Sequence, residues 1–152
     1  VEANFVGYAS DILPAPFDGF GVQANAAVID SEFTTVTGRK LSLPGTSHLI
    51  YGGSLFYEKG GLSVRFNYQF RDEWLRRIED PGVDDYWAPT KRLDASLRYT
   101  FRNNSTGAKL TLFVNGNNIS DEVDVRYNGI RATPNQVEAY GPRWLIGARL
   151  DY

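Results

Sequence analysis

The stretch Arg92-Leu93-Asp94-Ala95-Ser96-Leu97-Arg98-Tyr99-Thr100-Phe101-Arg102 puts an apolar residue at every odd position and a polar one at every even position. Successive side chains alternate between the faces of a strand, so a period of two predicts a strand with one apolar and one polar face. Gly61 to Arg71 repeats the pattern, with Leu62, Val64, Phe66, Tyr68 and Phe70 facing one way and Ser63, Arg65, Asn67, Gln69 and Arg71 the other. Weaker versions are Phe20, Val22, Ala24, Ala26 and Val28; Leu49, Tyr51, Leu55 and Tyr57; Leu110, Leu112 and Val114; and Trp144, Ile146, Ala148, Leu150 and Tyr152. With the opening Val1-Glu2-Ala3-Asn4-Phe5, about seven strands are expected.

The links between them alternate in length. Lys59-Gly60-Gly61 and Asn103-Asn104-Ser105-Thr106-Gly107 are short, whereas 77–91 and 128–142 are long. Short and long links in turn predict an antiparallel meander of hairpins. The connection Asp11 to Gly19 is longer than its place in that alternation requires. Asn115-Gly116 resembles a hairpin turn but sits inside the alternation from Leu110 to Asn118 and is read as strand. Asn117-Asn118-Ile119-Ser120-Asp121, rich in short side chains that bond nearby backbone, is read as a structural kink.

Composition narrows the function classes. A formal charge of −2 with scattered Arg and Lys offers no basic surface for nucleic acid. Without cysteine there is no disulfide framework, thiolate metal site or cysteine nucleophile. A membrane helix needs about 18 to 20 consecutive apolar residues, and no run approaches that. The chain opens with neither an initiating Met nor a signal sequence, so a processed or cut piece is expected.

Alternation alone suits both a soluble sandwich and a membrane barrel. Three features favour the barrel. The best strands keep a clean apolar face for nine or more residues, about the length needed to cross a bilayer at a barrel tilt. Aromatics gather toward strand ends, with Tyr57, Tyr99, Phe101 and Tyr152 on the short-turn side and Phe70, Trp74, Trp87, Tyr127 and Trp144 on the long-loop side, as two interfacial girdles would. Charges such as Arg65, Arg71, Arg98, Arg102, Arg143 and Arg149 keep to the polar face.

Several motifs occur in a fixed order: Leu43-Pro44-Gly45-Thr46-Ser47, Phe56-Tyr57-Glu58-Lys59-Gly60-Gly61-Leu62-Ser63-Val64-Arg65-Phe66-Asn67-Tyr68, Leu93-Asp94-Ala95-Ser96, and Asn117-Asn118-Ile119-Ser120-Asp121-Glu122. The ordered set, over nearly the whole chain, resembles TonB-dependent receptors, and among them the subgroup abundant in Xanthomonas and Caulobacter. Gly141-Pro142-Arg143-Trp144 to Tyr152 is similar to the family's final strand, with Trp144, Leu150 and Tyr152 in the place of its assembly signal. Phe is commoner at the last position.

The resemblance implies that residues 1–152 are the C-terminal part of a 22-stranded transmembrane β-barrel in the bacterial outer membrane, lacking its plug and N-terminal strands. The function implied is energy-coupled uptake of a small-molecule substrate, with carbohydrate the leaning. The implied partners are outer-membrane lipid, the plug and other strands of the parent chain, TonB through the missing N-terminal part, and the barrel assembly machinery. Loops around 38–46, 77–91 and 128–142 would be extracellular. The alternatives are a small stand-alone outer-membrane barrel with an adhesin or structural role, needing an eighth strand, and a soluble all-β carbohydrate-binding module.

Site candidates follow from the loops and the polar face. Asp84-Asp85-Tyr86-Trp87, with Arg131 and Tyr140, are the candidate ligand contacts, since function concentrates on loops above a rigid scaffold. Against that stands the plainer reading of 77–91 as a solvated Pro/Gly loop in which nothing desolvates the carboxylates. Glu58, Arg65, Asp94, Arg98 and Arg149 are expected to face a lumen as a structural charge ladder. His48 is the only histidine, so no triad or histidine-rich metal site is expected, and its reading is structural. Neither enzymatic activity nor a cofactor is expected.

Overall fold

Matching period-two patterns are joined by turns that bring like faces together, and the result is a wall. The computed structural model describes residues 1–152. Its strands are β1 (Glu2–Tyr8), β2 (Phe20–Val28), β3 (Phe33–Thr34), β4 (Lys40–Leu41), β5 (Leu49–Lys59), β6 (Leu62–Arg71), β7 (Trp74–Arg77), β8 (Asp85–Trp87), β9 (Thr90–Arg102), β10 (Lys109–Asn117), β11 (Asp124–Asn128), β12 (Pro134–Glu138) and β13 (Arg143–Asp151). The seven long strands form one antiparallel sheet in the order β1-β2-β5-β6-β9-β10-β13. These are the seven that alternation predicts.

Register aligns the apolar positions across the sheet. One row runs Phe20, Tyr57, Val64, Leu97, Val114, Ile146, each opposite the next. A slip of one residue in any strand would turn its apolar set to the polar face. Along the whole apolar face the only charges are Lys59 and Lys91, both at strand ends.

No other element covers this face. Phe66, Leu97 and Ile146 are 45%, 46% and 76% exposed, and only eight residues of the chain are buried. A sheet of this size that buries so little has no core of its own, because apolar burial is the main favourable term in folding in water.

Aromatics edge the face at both ends. At the short-turn end Phe20 packs edge-on against Tyr57 at 4.8 Å and Tyr99 against Phe101 at 4.5 Å. At the long-loop end Tyr51 stacks on Phe70 at 4.7 Å, near Tyr68 at 6.1 Å. Trp144, as expected, lies near the start of β13 on the same face. Trp74, Trp87 and Tyr127 do not belong to that band: they lie in β7, β8 and β11, outside the wall.

Turn chemistry fixes the hairpins. Lys59 pairs with Leu62 across Gly60 and Gly61, whose φ values of 59° and 91° are those a two-residue hairpin of the type I′ family demands. A Cβ on Gly61 would also stand 2.6 Å from the Thr100 carbonyl oxygen. The long Asp11–Gly19 connection falls at this same end. It forms two 3-10 turns, Ala9–Asp11 and Phe17–Gly19, held by a Lys59–Asp18 ion pair of 2.5 Å.

Reading 77–91 and 128–142 as plain loops needs correction. β7, β8, β11 and β12 form a second antiparallel sheet, in the order β12-β11-β8-β7, at the long-loop end of the wall. Strands of three to five residues interrupted by Pro and Gly are too short to show alternation.

Candidate functional site

Three long connections, 29–48, 72–89 and 118–142, meet at one end of the wall, and buried charge holds them together. Asp85, 1% exposed, accepts a 2.7 Å hydrogen bond from Arg76 Nη1 and lies 3.4 Å from Arg126 Nε. Asp84 is ion-paired with Arg39 and accepts the Glu79 backbone N–H at 2.9 Å. A carboxylate leaves water only when cations and donors replace its hydration, and here guanidinia from all three connections do so. The expectation of solvated carboxylates is therefore corrected. Both are buried, Asp85 at the start of β8 and Asp84 immediately before it, and Leu75 of the neighbouring β7 is 1% exposed.

The aromatic residues of these strands are ordered as well. Tyr86 stacks on Tyr127 at 5.6 Å. The buried Tyr127 hydroxyl donates to Glu73 Oε2 at 2.7 Å. Desolvation, reinforced by that acceptor, pushes the Tyr127 phenol well above the ordinary tyrosine range. Tyr86 is raised by desolvation and then by Asp84. Tyr140, on the surface, donates to Glu138 at 2.7 Å, and that bond is the main cause of its raised pKa.

Beneath the loop sheet, against the polar face of the wall, lies a cleft of 340 Å³. Gln69 and Arg71 of β6 and Thr90 and Arg92 of β9 form its floor, while Trp74, Trp87, Asp124 and Glu138 come from the loop sheet. Trp74 and Trp87 pair across β7 and β8 with rings 6.3 Å apart. Arg71 lies over Trp74 at 4.6 Å and is tied down by Ser47 Oγ and the Gly45 carbonyl, each at 2.8 Å. Arg92 Nη2 reaches both oxygens of Asp124 at 2.6 and 2.5 Å.

The six expected ligand residues do not form one cluster. Trp87 lines this cleft, and Tyr140 touches its rim only through Glu138. Asp84, Asp85 and Tyr86 are built into the loop sheet, and Arg131 approaches Glu73 at 4.0 Å. Gln69, Arg71, Trp74, Arg92, Asp124 and Glu138 are not among the ligand contacts expected from sequence, although Gln69 and Arg71 are read there as polar-face residues and Trp74 as part of an aromatic girdle. The available signal was that Gln69, Arg71 and Arg92 are polar-face residues at the loop ends of the best-patterned strands.

Of the five expected lumen residues, Glu58, Arg65, Arg98 and Arg149 line one cavity of 770 Å³ on the polar face at the short-turn end. Glu58 and Arg65 approach to 3.5 Å, Arg149 pairs with Asp151 at 2.8 Å, and Arg98 has no ion-pair partner. Asp94 lies elsewhere: its carboxylate accepts the Asn118 N–H at 2.8 Å. Asn118 and Asp121 take positive φ values of 53° and 54°, and the Asn118 amide brackets Glu122 through its N–H and carbonyl, so the 117–121 segment is a kink closed by its own side chains.

Trp144 and Leu150 project from the exposed apolar face of β13, and Tyr152 follows that strand. His48 is exposed, and no cluster of three or more His, Cys, Asp or Glu side chains is placed to hold a metal ion.

No protein-family model, curated protein or solved structure matches the chain. The resemblance to TonB-dependent receptors thus rests on the ordered sequence motifs, and the architecture rests on the chain's own physics.

Proposed function

We propose that this chain is the C-terminal section of the wall of an outer-membrane β-barrel receptor of the TonB-dependent kind, with its long connections on the extracellular side. One observation carries the reading: seven adjacent strands present a continuous apolar face, edged by aromatics at both ends, that no element of the chain covers. In water such a face is a liability for association, whereas in lipid it needs no cover. Helices give no alternative crossing, since none is long and apolar enough to span a membrane.

The opposite face suits a water-filled lumen. Thr100 and Thr111 bond at 3.1 Å, Ser54 and Asn67 at 2.6 Å, and the Glu58, Arg65, Arg98 and Arg149 group lies open to solvent. β1 and β13 are the sheet's edges and carry unpaired backbone donors and acceptors, which the remaining strands of a larger barrel would satisfy. On this reading the wall closes around a plug in the parent chain, and uptake of a small molecule is driven through TonB.

Fractionation of cells expressing the full-length parent protein tests it. The expected result is recovery in the outer membrane, with extraction only by detergent. A monodisperse protein recovered without detergent contradicts the proposal and favours a soluble module.

A further inference from the structure

We propose that the connection from Ala9 to Gly19, longer than its place at the short-turn end requires, is an interfacial anchor that lies in the phospholipid of the periplasmic leaflet beside the wall. The inference rests on the receptor reading for the position of the bilayer, and goes beyond it in giving this connection a partner of its own.

The connection is tied to the outward side of the sheet. Tyr57 and Lys59 both stand on the apolar face. The Tyr57 hydroxyl donates to the Pro16 carbonyl at 3.0 Å, and Lys59 Nζ holds the Asp18 carboxylate at 2.5 Å. Phe20, the first residue of β2, packs edge-on against Tyr57. The second 3-10 turn, Phe17–Gly19, is therefore drawn over the edge of the face that lipid covers in the receptor reading.

Its surface is apolar. Ile12, Leu13 and Phe17 are 82%, 46% and 56% exposed, and residues 12–17 carry no charge. Asp18 is neutralised by Lys59, and the connection contains no cation of its own. An anionic headgroup therefore has nothing there to hold it, and attachment must come from apolar burial. A protein partner would need polar groups to set its register, and 12–17 presents no polar side chain; lipid needs none. The turn Asn103–Gly107, at the same end of the wall, is built instead from polar residues and glycine.

The backbone is prepared for the loss of water. A peptide group that enters a bilayer must find its hydrogen-bond partner within the protein. Pro14 and Pro16 have no N–H to satisfy. Ile12 and Leu13 donate to the Ala9 carbonyl at 3.0 and 2.6 Å, and Phe17 donates to the Pro14 carbonyl at 3.0 Å. Within 12–17 only the Ala15 N–H lacks a backbone partner.

The test reconstitutes the full-length protein in phosphatidylcholine vesicles. Single cysteines at 13, 17, 97 or 104 carry a nitrobenzoxadiazole label, any other cysteine of the parent being replaced by serine. Lipids brominated high or low on the acyl chain quench the label according to its depth. Labels at 13 and 17 should lose at least roughly twofold more emission than the label at 104, and more to the shallow bromines than to the deep ones, as for a segment about 5 to 10 Å into the headgroup boundary.

Quenching at 13 and 17 no greater than at 104 overturns the anchor. So does a blue-shifted label at 13 and 17 that bromines do not reach, because protein then covers the connection. The label at 97 separates the two proposals. Quenching there by deep bromines, without quenching at 13 and 17, leaves the wall standing and sinks the anchor. Quenching at 13 and 17 but not at 97 keeps the anchor and sinks the lipid-facing wall.

Discussion

Arg92, rooted in wall strand β9, holds the Asp124 carboxylate of loop-sheet strand β11 through Nη2 at 2.5 and 2.6 Å. The pair is one point at which the loop sheet is pinned to the wall, and it is open to water on the arginine side. Arg92→Gln should therefore cost no more than about 1 kcal/mol, in line with exposed ion pairs. Asp85 is a different case. Asp85→Asn leaves Arg76 and Arg126 facing a neutral, enclosed amide, and because both guanidinia keep part of their hydration the loss is about 1 to 3 kcal/mol. Hydrogen exchange of the full-length protein should show lost protection across β7, β8, β11 and β12 for Asp85→Asn, with the wall strands unaffected.

The enclosed phenol of Tyr127 makes the loop sheet sensitive to alkali. Its folded pKa lies above the unfolded value of about 10, so the folded state binds the proton more tightly. That stabilisation is complete below about pH 10 and is lost as pH rises toward the folded value. In a spectrophotometric titration Tyr127 should ionise after the exposed tyrosines, and Tyr127→Phe should remove the last step.

Two glycines on the polar face are expected to resist substitution. The Phe56 ring lies over Gly21, where a Cβ would stand 2.2 Å from it, and the Phe113 ring lies over Gly147 at 2.4 Å. Arg65 covers the other side of Phe56 at 4.6 Å, so the ring has little room to move. Gly21→Val should destabilise the seven-stranded sheet by about 1 to 3 kcal/mol, the usual cost of overpacking. A denaturant titration in lipid vesicles, with Phe56→Ala combined with Gly21→Val as the relieving pair, checks it.

Wall and loop sheet were unequally legible. Leu93 to Phe101 and Leu62 to Phe70 declare their faces because strand periodicity is local and both runs are long. Phe56 and Phe113 break the simple rule by sitting on the polar face. Their reason lies in glycines on neighbouring strands, which only register brings beneath them. The pairing of Asp85 with Arg76 and Arg126 joins three strands of at most five residues, so neither the burial nor the partners leave a periodic trace. The cleft is hidden for the same cause: Gln69, Trp87 and Glu138 are far apart in sequence and meet only when the second sheet folds over the first.

A charge on the apolar face measures what covers it. Leu97 sits mid-row between Val64 and Val114, and Leu97→Arg should cost about 2 to 4 kcal/mol if that face lies near the bilayer midplane. Arg98→Leu, one residue away on the cavity side, should be tolerated.

The outer face is most directly tested by accessibility along 93–101 of the full-length protein in lipid, one spin-labelled cysteine at a time, residues 1–152 having none of their own and any cysteine elsewhere in the parent replaced by serine. Collision with oxygen, which concentrates in lipid, should peak at 93, 95, 97, 99 and 101, and collision with a water-soluble nickel complex at the even positions. Nickel access at 95 and 97 equal to that at 96 and 98, or protection of both sets from both reagents, would mean that water or protein covers this face, and the membrane wall would be wrong.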